Sequence, residues 1–264
     1  MRVSLPRGLH VPALIALLLL VLPIVGLVSR VNADTFWADL TSQGSLAALR
    51  LSLVTGACAT VLCVLLGLPL AVVMARSSRR MAGLLRTVVL VPLVMPPMVS
   101  GLALLALLGR SGLVGKPLFE WSGLSLPYTS AAVVIAQAFV ALPFLVITVE
   151  GTLRTSGTSN EQIAASLGAG RWRVLSRITL PLCLPGLVAG TILCFARALG
   201  EFGATALFAG NAPGVTQTMP LAIYTAFNGV GVSQDAAVAM ALLLLASAAV
   251  VVVGLRSWRA DAVR

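Results

Sequence analysis

The chain has 264 residues, 59% of them hydrophobic and only 10% charged, with 18 Lys and Arg against 8 Asp and Glu for a net charge of +10. A soluble domain carries about 25% charged residues, so this composition excludes one and implies an integral membrane protein. The cations lie between apolar runs, which reads as orientation in a lipid bilayer and gives no nucleic-acid partner.

A crossing helix needs about 20 apolar residues, and open strands cannot cross lipid because their backbone groups would lack partners. Runs at Pro12–Val28, Leu51–Ala75, Leu84–Leu108, Ser130–Val149, Ile178–Leu199 and Ala236–Leu255 therefore predict an all-α membrane protein with six transmembrane helices. The first run has a second reading. Arg2 and Arg7 precede it, and Val31-Asn32-Ala33 resembles a signal-peptidase site. The run is long for a cleaved leader, which favours a retained helix.

Lys and Arg concentrate on the cytoplasmic side of membrane proteins. Arg2 and Arg7 precede the first span. Arg76, Arg79, Arg80 and Arg86 lie between the second and third, and Arg154, Arg171, Arg173 and Arg177 between the fourth and fifth. Arg256, Arg259 and Arg264 follow the sixth. All of these fall on one side, so both termini are expected in the cytoplasm. The other side holds Arg30, Arg50, Arg110 and Lys116, with Arg197 near the outer end of the fifth span. Trp37 and Trp121 fall near the outer interface, Trp172 and Trp258 near the inner one.

Pro96-Pro97 in the third span, Pro143 in the fourth, and Pro181 and Pro185 at the start of the fifth each remove a backbone donor and predict kinks. Either packing irregularity or a hinge accounts for them. Gly56, Gly67, Gly101, Gly186 and Gly190 would let helices approach closely. Phe202–Gln234 is uncharged and rich in Gly, Asn, Thr and Pro, which fits a short helix or re-entrant segment on the outer side or a folded external cap. The expected division is 1–44 for the first helix and an external linker, 45–255 for one membrane domain, and 256–264 for a short cytoplasmic tail.

Enzymatic chemistry has little to stand on. Cys58, Cys63, Cys183 and Cys194 all fall in expected spans, and His10 is the only histidine, so no metal site is expected. Gly115-Lys116 is followed by Pro117, which is not a phosphate-binding loop, and no HExxH or GxSxG occurs. No cofactor is expected, and an intramembrane enzyme would lack a nucleophile–base pair.

Between the fourth and fifth spans lies a polar island, Glu161 to Pro181. Small residues Ala164, Ala165, Gly168 and Gly170 lead into Arg171, Arg173 and Arg177, and the stretch ends at Ile178, Leu180 and Pro181. A short helix over Glu161–Leu167 would place Ile163 and Leu167 on one face, suited to a partner's groove, with Gly168 as the turn. This island resembles the cytoplasmic loop of binding-protein-dependent ABC importer permeases, whose pattern is Glu-Ala-Ala, three residues, Gly, nine residues, Ile, one residue, Leu-Pro. The half from Gly168 to Pro181 matches in full. Counting back, the family's Glu falls on Gln162 and its alanines on Ile163 and Ala164, with Glu161 one position earlier.

A second stretch, Phe195–Tyr224, resembles molybdate ABC importer permeases. Gly200-Glu201-Phe202-Gly203-Ala204-Thr205 match as they stand, as do Thr216, Thr218, Pro220 and Tyr224. Leu90–Gly101 and the Gly109–Leu118 turn look similar too. Sulfate and thiosulfate permeases share a related Gly-Glu-Phe-Gly run, so these residues separate oxyanion importers from other transporters better than one oxyanion from another.

The resemblance implies a type I ABC importer fold and a function as the permease of an ATP-driven oxyanion importer, most closely for molybdate. It implies as partners a second permease copy, two cytoplasmic ATPase subunits, an extracytoplasmic oxyanion-binding protein and membrane lipid, with ATP hydrolysis on the separate subunits. The implied coupling residues are Glu161, Gln162, Ala164, Ala165, Gly168, Ile178, Leu180 and Pro181. Arg197 and Glu201, spaced i and i+4, make either a structural ion pair or part of an anion pathway. Thr205, Asn211, Thr216, Gln217 and Thr218 would add neutral donors to such a pathway. The alternatives are a sulfate or thiosulfate importer and an ion-coupled secondary transporter. The latter class carries buried acids in mid-span, which Glu201 near one end fits poorly.

Overall fold

The structure, a computed structural model, describes residues 7–229 and 233–261. Arg2 and Arg264 lie outside the described residues, as do the side chains of Arg7, Arg256, Trp258 and Arg259. In chain order the α-helices are α1 His10–Val28, α2 Phe36–Leu40, α3 Gln43–Arg76, α4 Arg79–Val94, α5 Pro97–Leu108, α6 Gly115–Ser122 and α7 Ser130–Ser156. There follow α8 Ser159–Ser166, α9 Arg171–Val174, a π turn Leu175–Thr179, α10 Leu180–Leu199, α11 Gly203–Phe208, α12 Met219–Phe227 and α13 Gln234–Asp261.

Hydroxyl side chains start the long helices. Ser42, Ser78 and Thr129 accept the backbone N–H groups of Ser45, Met81 and Ala132, which caps α3, α4 and α7. Among the described residues, α1, α3, α7 and the continuous helix Arg171–Leu199 are long and apolar enough to cross a membrane. The pair α4 and α5 would be a fifth crossing if counted as one span, and α13 has an apolar stretch over Gln234–Val250.

The third expected span is not merely kinked. The chain bends through 111° between its two halves. The cause is local: a residue before proline is driven out of the α region, and Met95 and Pro96 both precede one. Both are extended, with ψ of 132° and 138°. Two successive non-helical residues end α4 and leave Pro97 free to open α5.

α7 is the hub, with α3 and α10 packed along it and α4, α5 and α11 against its remaining faces. One core joins Ala59, Cys63 and Met74 of α3, Leu145, Val149 and Leu153 of α7, and Cys183 and Cys194 of α10. A second joins Leu104 of α5, Val133 and Val140 of α7, and Phe208 of α11. A third joins Ala48 of α3 to Met219 and Ala226 of α12 and Met240 of α13. α1 stands apart: none of its residues is buried and it touches α13 lightly. Its Leu and Val side chains are outward-facing, as on a helix whose solvent is hydrocarbon.

Small residues set the close approaches, because lipid supplies no hydrophobic drive between helices. A Cβ at Gly186 of α10 would overlap Thr152 Oγ1 of α7 and lie 2.7 Å from Thr152 Cβ. Gly186→Ala is expected to lower the thermal unfolding temperature in detergent, at a cost of about 1–3 kcal/mol for overpacking. Gly26→Ala in α1, where nothing lies within 4 Å, is expected to leave it unchanged.

Candidate functional site: the arginine-rich turn and its anchors

The island after α7 is framed by two glycines in the left-handed region. Gly157 ends α7 at φ +67° and Gly168 follows α8 at φ +82°. At the latter, Gly168 N–H donates to Ala165 O and Ala169 N–H to Ala164 O, both at 3.0 Å. This is the Schellman pattern, which satisfies the last carbonyls of α8 and reverses the chain. The helix then restarts at Arg171, so the basic residues belong to the same continuous helix as the fifth expected span. The expected start of that span at Ile178 is thus about two turns late. Ile178 lies inside the π turn, closed by Leu180 N–H donating to Leu175 O. Leu180 and Pro181 form the first turn of α10, with Leu180 packed against the main core.

α8 has two unlike faces. Ile163 is 58% exposed, Leu167 just past its end 82% and Trp172 of α9 81%. Gln162 and Ala165 are exposed as well, while Ala164 is half-buried. Gln162 Nε2 donates to Thr158 Oγ1 at 3.2 Å. Glu161 turns the other way and its side chain is only 15% exposed. Its Oε1 accepts from Arg76 Nη2 at 2.8 Å and from Thr179 Oγ1 at 2.6 Å. Arg76, the last residue of α3, also donates to the carbonyls of Leu153 and Gly157 at 3.4 and 3.3 Å. One arginine thus ties the ends of α3 and α7 to α8.

A second cluster lies alongside. Glu150 of α7 is 1% exposed and accepts from Arg86 Nη2 of α4 at 2.6 and 2.8 Å and from Arg154 Nε at 2.5 Å. Arg154 Nη2 also donates to Met74 O at 3.3 Å. Arg76, Arg86 and Arg154 read in the sequence only as orientation signals, and here each is a specific partner of a carboxylate. The i, i+4 spacing of Glu150 and Arg154 was a usable local signal. The Arg76–Glu161 pair, 85 residues apart, had none.

Burial acts to raise the Glu161 carboxyl. The hydrogen bonds from Arg76 and Thr179 and the Arg76 charge outweigh it and hold the group below its ordinary value of 4.5.

At the opposite end, Arg197 Nη2 lies 2.7 Å from Glu201 Oε2, and Glu201 is 1% exposed. Glu201 Oε1 also accepts the N–H of Ala204 at 2.9 Å, in the first turn of α11. Thr205 and Thr218 are wholly buried, their hydroxyls without a partner. Thr216 is buried and accepts the N–H of Ala212 at 2.9 Å, closing the turn before α12. Asn211 is exposed and donates to Thr225 Oγ1 at 2.9 Å, and Gln217 is half-buried. The structure therefore brings Arg197 and Glu201 together, while the threonines are interior and do not join them on an open surface. Among its described residues, Phe202–Gln234 holds two short helices joined by a turn, with α11 packed on α5 and α12 on α3 and α13. Ser52 Oγ accepts the N–H of Met219 at 2.7 Å and anchors α12. Gln137 of α7, which the sequence reading passed over, is buried with neither amide atom bonded.

A carboxyl held below its unfolded value stabilises above that value, and the contribution is lost as pH falls through the folded one. For Glu161 the window lies from 4.5 downward. Hydrogen exchange over α8 in detergent is expected to quicken as pH drops through it, once intrinsic exchange rates are corrected for. Glu161→Gln is expected to remove that pH dependence.

Residues 67–264 match the family model described as "Binding-protein-dependent transport system inner membrane component". The chain is 51% identical over 251 residues to the molybdenum transport system permease protein ModB of Mycobacterium tuberculosis, covering 95% of this chain and 94% of that one. It is 36% identical over 239 residues to a probable molybdenum ABC transporter permease protein of Haloferax volcanii, covering 90% and 86%. In fold it is similar to a chain of a bacterial alginate ABC transporter in complex with a periplasmic protein, with TM-score 0.72 and 19% identity over 94% of this chain and 91% of that one. It is also similar to a chain of the MetNI methionine ABC transporter, with TM-score 0.61 and 18% identity over 87% and 98%.

Proposed function

Because the chain belongs to the binding-protein-dependent transport system inner membrane component family, we propose that it is the membrane permease of an ATP-driven importer for molybdate. The observation that carries the substrate is the 51% identity to a molybdenum permease across nearly the whole of both chains. The Gly200–Thr205 run supports it. The family implies a separate ATPase and an extracytoplasmic binding protein, and the permease itself performs no covalent chemistry.

In this reading six spans cross the membrane, with α4 and α5 together forming the third and α13 the sixth. Both termini and the arginine-rich turn face the cytoplasm. Two permease copies surround the pathway, and one ATPase docks on each. α8 is the docking helix: Ile163, Leu167 and Trp172 present apolar surface in an otherwise charged region, which suits a groove on the ATPase. Gln162, Ala164, Ala165 and Gly168 shape that surface, and Ile178, Leu180 and Pro181 join it to α10. ATP-driven closure of the two ATPases would move both α8 helices, and the permease halves would rock between inward- and outward-open states. Differential contact with the ATPases supplies the bias between the states.

Arg197, Glu201, Thr205, Asn211, Thr216 and Thr218 lie toward the outer end. There the Arg197–Glu201 pair holds the start of α11 in place and leaves a partly exposed guanidinium near the anion's route. Weak contact is what transport requires, because a site that binds tightly does not release.

In proteoliposomes with the cognate ATPase and binding protein, molybdate and tungstate are expected to stimulate ATP hydrolysis and be taken up. Stimulation by sulfate or thiosulfate alone would assign the chain to that branch, and uptake driven by an ion gradient without the ATPase would reject the ABC reading. Gly168→Asp is expected to insert normally and to lose the ATPase on co-purification. No atom blocks a Cβ there, so the effect would come from the φ of +82° and the added charge beside Leu167.

A further inference from the structure

The family resemblance presents the acidic residue of the island as part of a docking surface. In this chain Glu161 points away from that surface. One of its two oxygens, Oε1, accepts from both Arg76 Nη2 and Thr179 Oγ1, and Thr179 is buried. Arg76 ends α3, and Thr179 is the last residue of the π turn that leads into α10. These two helices line the central helix α7.

The π turn bears on the same contact. Single π turns inside α-helices are rare and concentrate at functional sites. This one shifts the register of the helix between Arg171 and Leu180. Reverting it to α geometry would carry Thr179 about 100° around the axis relative to the docking turn, the angle of one residue. The hydrogen bond to Glu161 therefore depends on the π turn.

We propose that Glu161 is a positioning residue that latches the docking helix α8 to the spans, through Arg76 to α3 and through Thr179 to α10. This rests on the reading of α8 as the ATPase-docking element and assigns what lies behind it. The exposed face made by Ile163, Leu167 and Trp172 receives the push. The hidden carboxylate passes it to two spans at once. A docked helix without the latch would move against its own membrane domain instead of with it.

The test uses the whole complex in proteoliposomes and reads two quantities: ATPase retained on purification, and molybdate taken up per ATP hydrolysed. Thr179→Val keeps shape and loses the hydroxyl. It is expected to retain the ATPase while uptake per ATP falls about fivefold or more, the lower range of coupling between sites. Thr179→Ser keeps the hydroxyl and is expected to restore wild-type coupling, which a purely packing role would not require. Glu161→Gln, which drops the charge facing Arg76, is expected to retain the ATPase and uncouple likewise. Coupling by Thr179→Val equal to wild type, or by Thr179→Ser as poor as Thr179→Val, would overturn the latch. Loss of the ATPase from Glu161→Gln alone would place the carboxylate on the docking surface and overturn it too. Leu167→Asp separates the two readings. If that variant still holds the ATPase, the docking face itself is wrong, and the latch falls with it.

Discussion

Burying a carboxylate inside a helical bundle is the constraint that most of the polar architecture answers. An ionised group taken out of water costs several kcal/mol unless it is paired and hydrogen-bonded. The chain has only 8 acids against 18 Lys and Arg, yet Glu150, Glu161 and Glu201 are turned inward. Each meets an arginine, and each takes a further donor: a second arginine for Glu150, a threonine hydroxyl for Glu161, a backbone N–H for Glu201. Removing Arg76 or Arg197 would leave Glu161 or Glu201 without its ion-pair partner. The acids therefore fix where the helix ends sit, and the helices bring the apolar cores with them.

The second constraint is the backbone. Met95-Pro96-Pro97 forces two extended residues in a row and turns a would-be span through 111°. Glycines act in the opposite sense. Gly186 and Gly67 let α10 and α3 press against α7 where a Cβ would meet its side chains, and Gly168 supplies the positive φ that ends α8. Proline opens space between elements and glycine closes it. The bundle's irregular outline follows from where each was placed.

How much of this was legible in the sequence depended on range. Apolar runs gave the long helices, because burial and lipid exposure both select for the same residues over twenty positions. Gly168 as a turn was legible because the helix signal stops there. The break at Pro96-Pro97 was legible as a kink but not in size, since two successive residues that each precede a proline turn the helix through 111°. The role of Arg76 was hidden for a different reason. A cation at a span end satisfies the orientation rule whether or not it is paired, and its partner lies 85 residues away. The threonines at 205, 216 and 218 read as donors for an anion because polarity in an apolar context suggests function. In the fold Thr216 closes a turn, and the other two are enclosed.

The polar island is a short helix with one anchored face and one bare face. An eight-residue helix has too little internal stability to hold its own position, since isolated helices below about 12 residues are marginal. Its place must come from contacts, and α8 buries no residue fully. What fixes it is covalent and electrostatic: a glycine at either end, and one carboxylate reaching inward to Arg76 and Thr179. The face left over carries Ile163 and Leu167, large apolar groups that gain nothing where they stand. In the proposed reading, this bare face is where the ATPase seats, opposite the one polar anchor. The proposed latch would then set the direction in which that partner moves the spans.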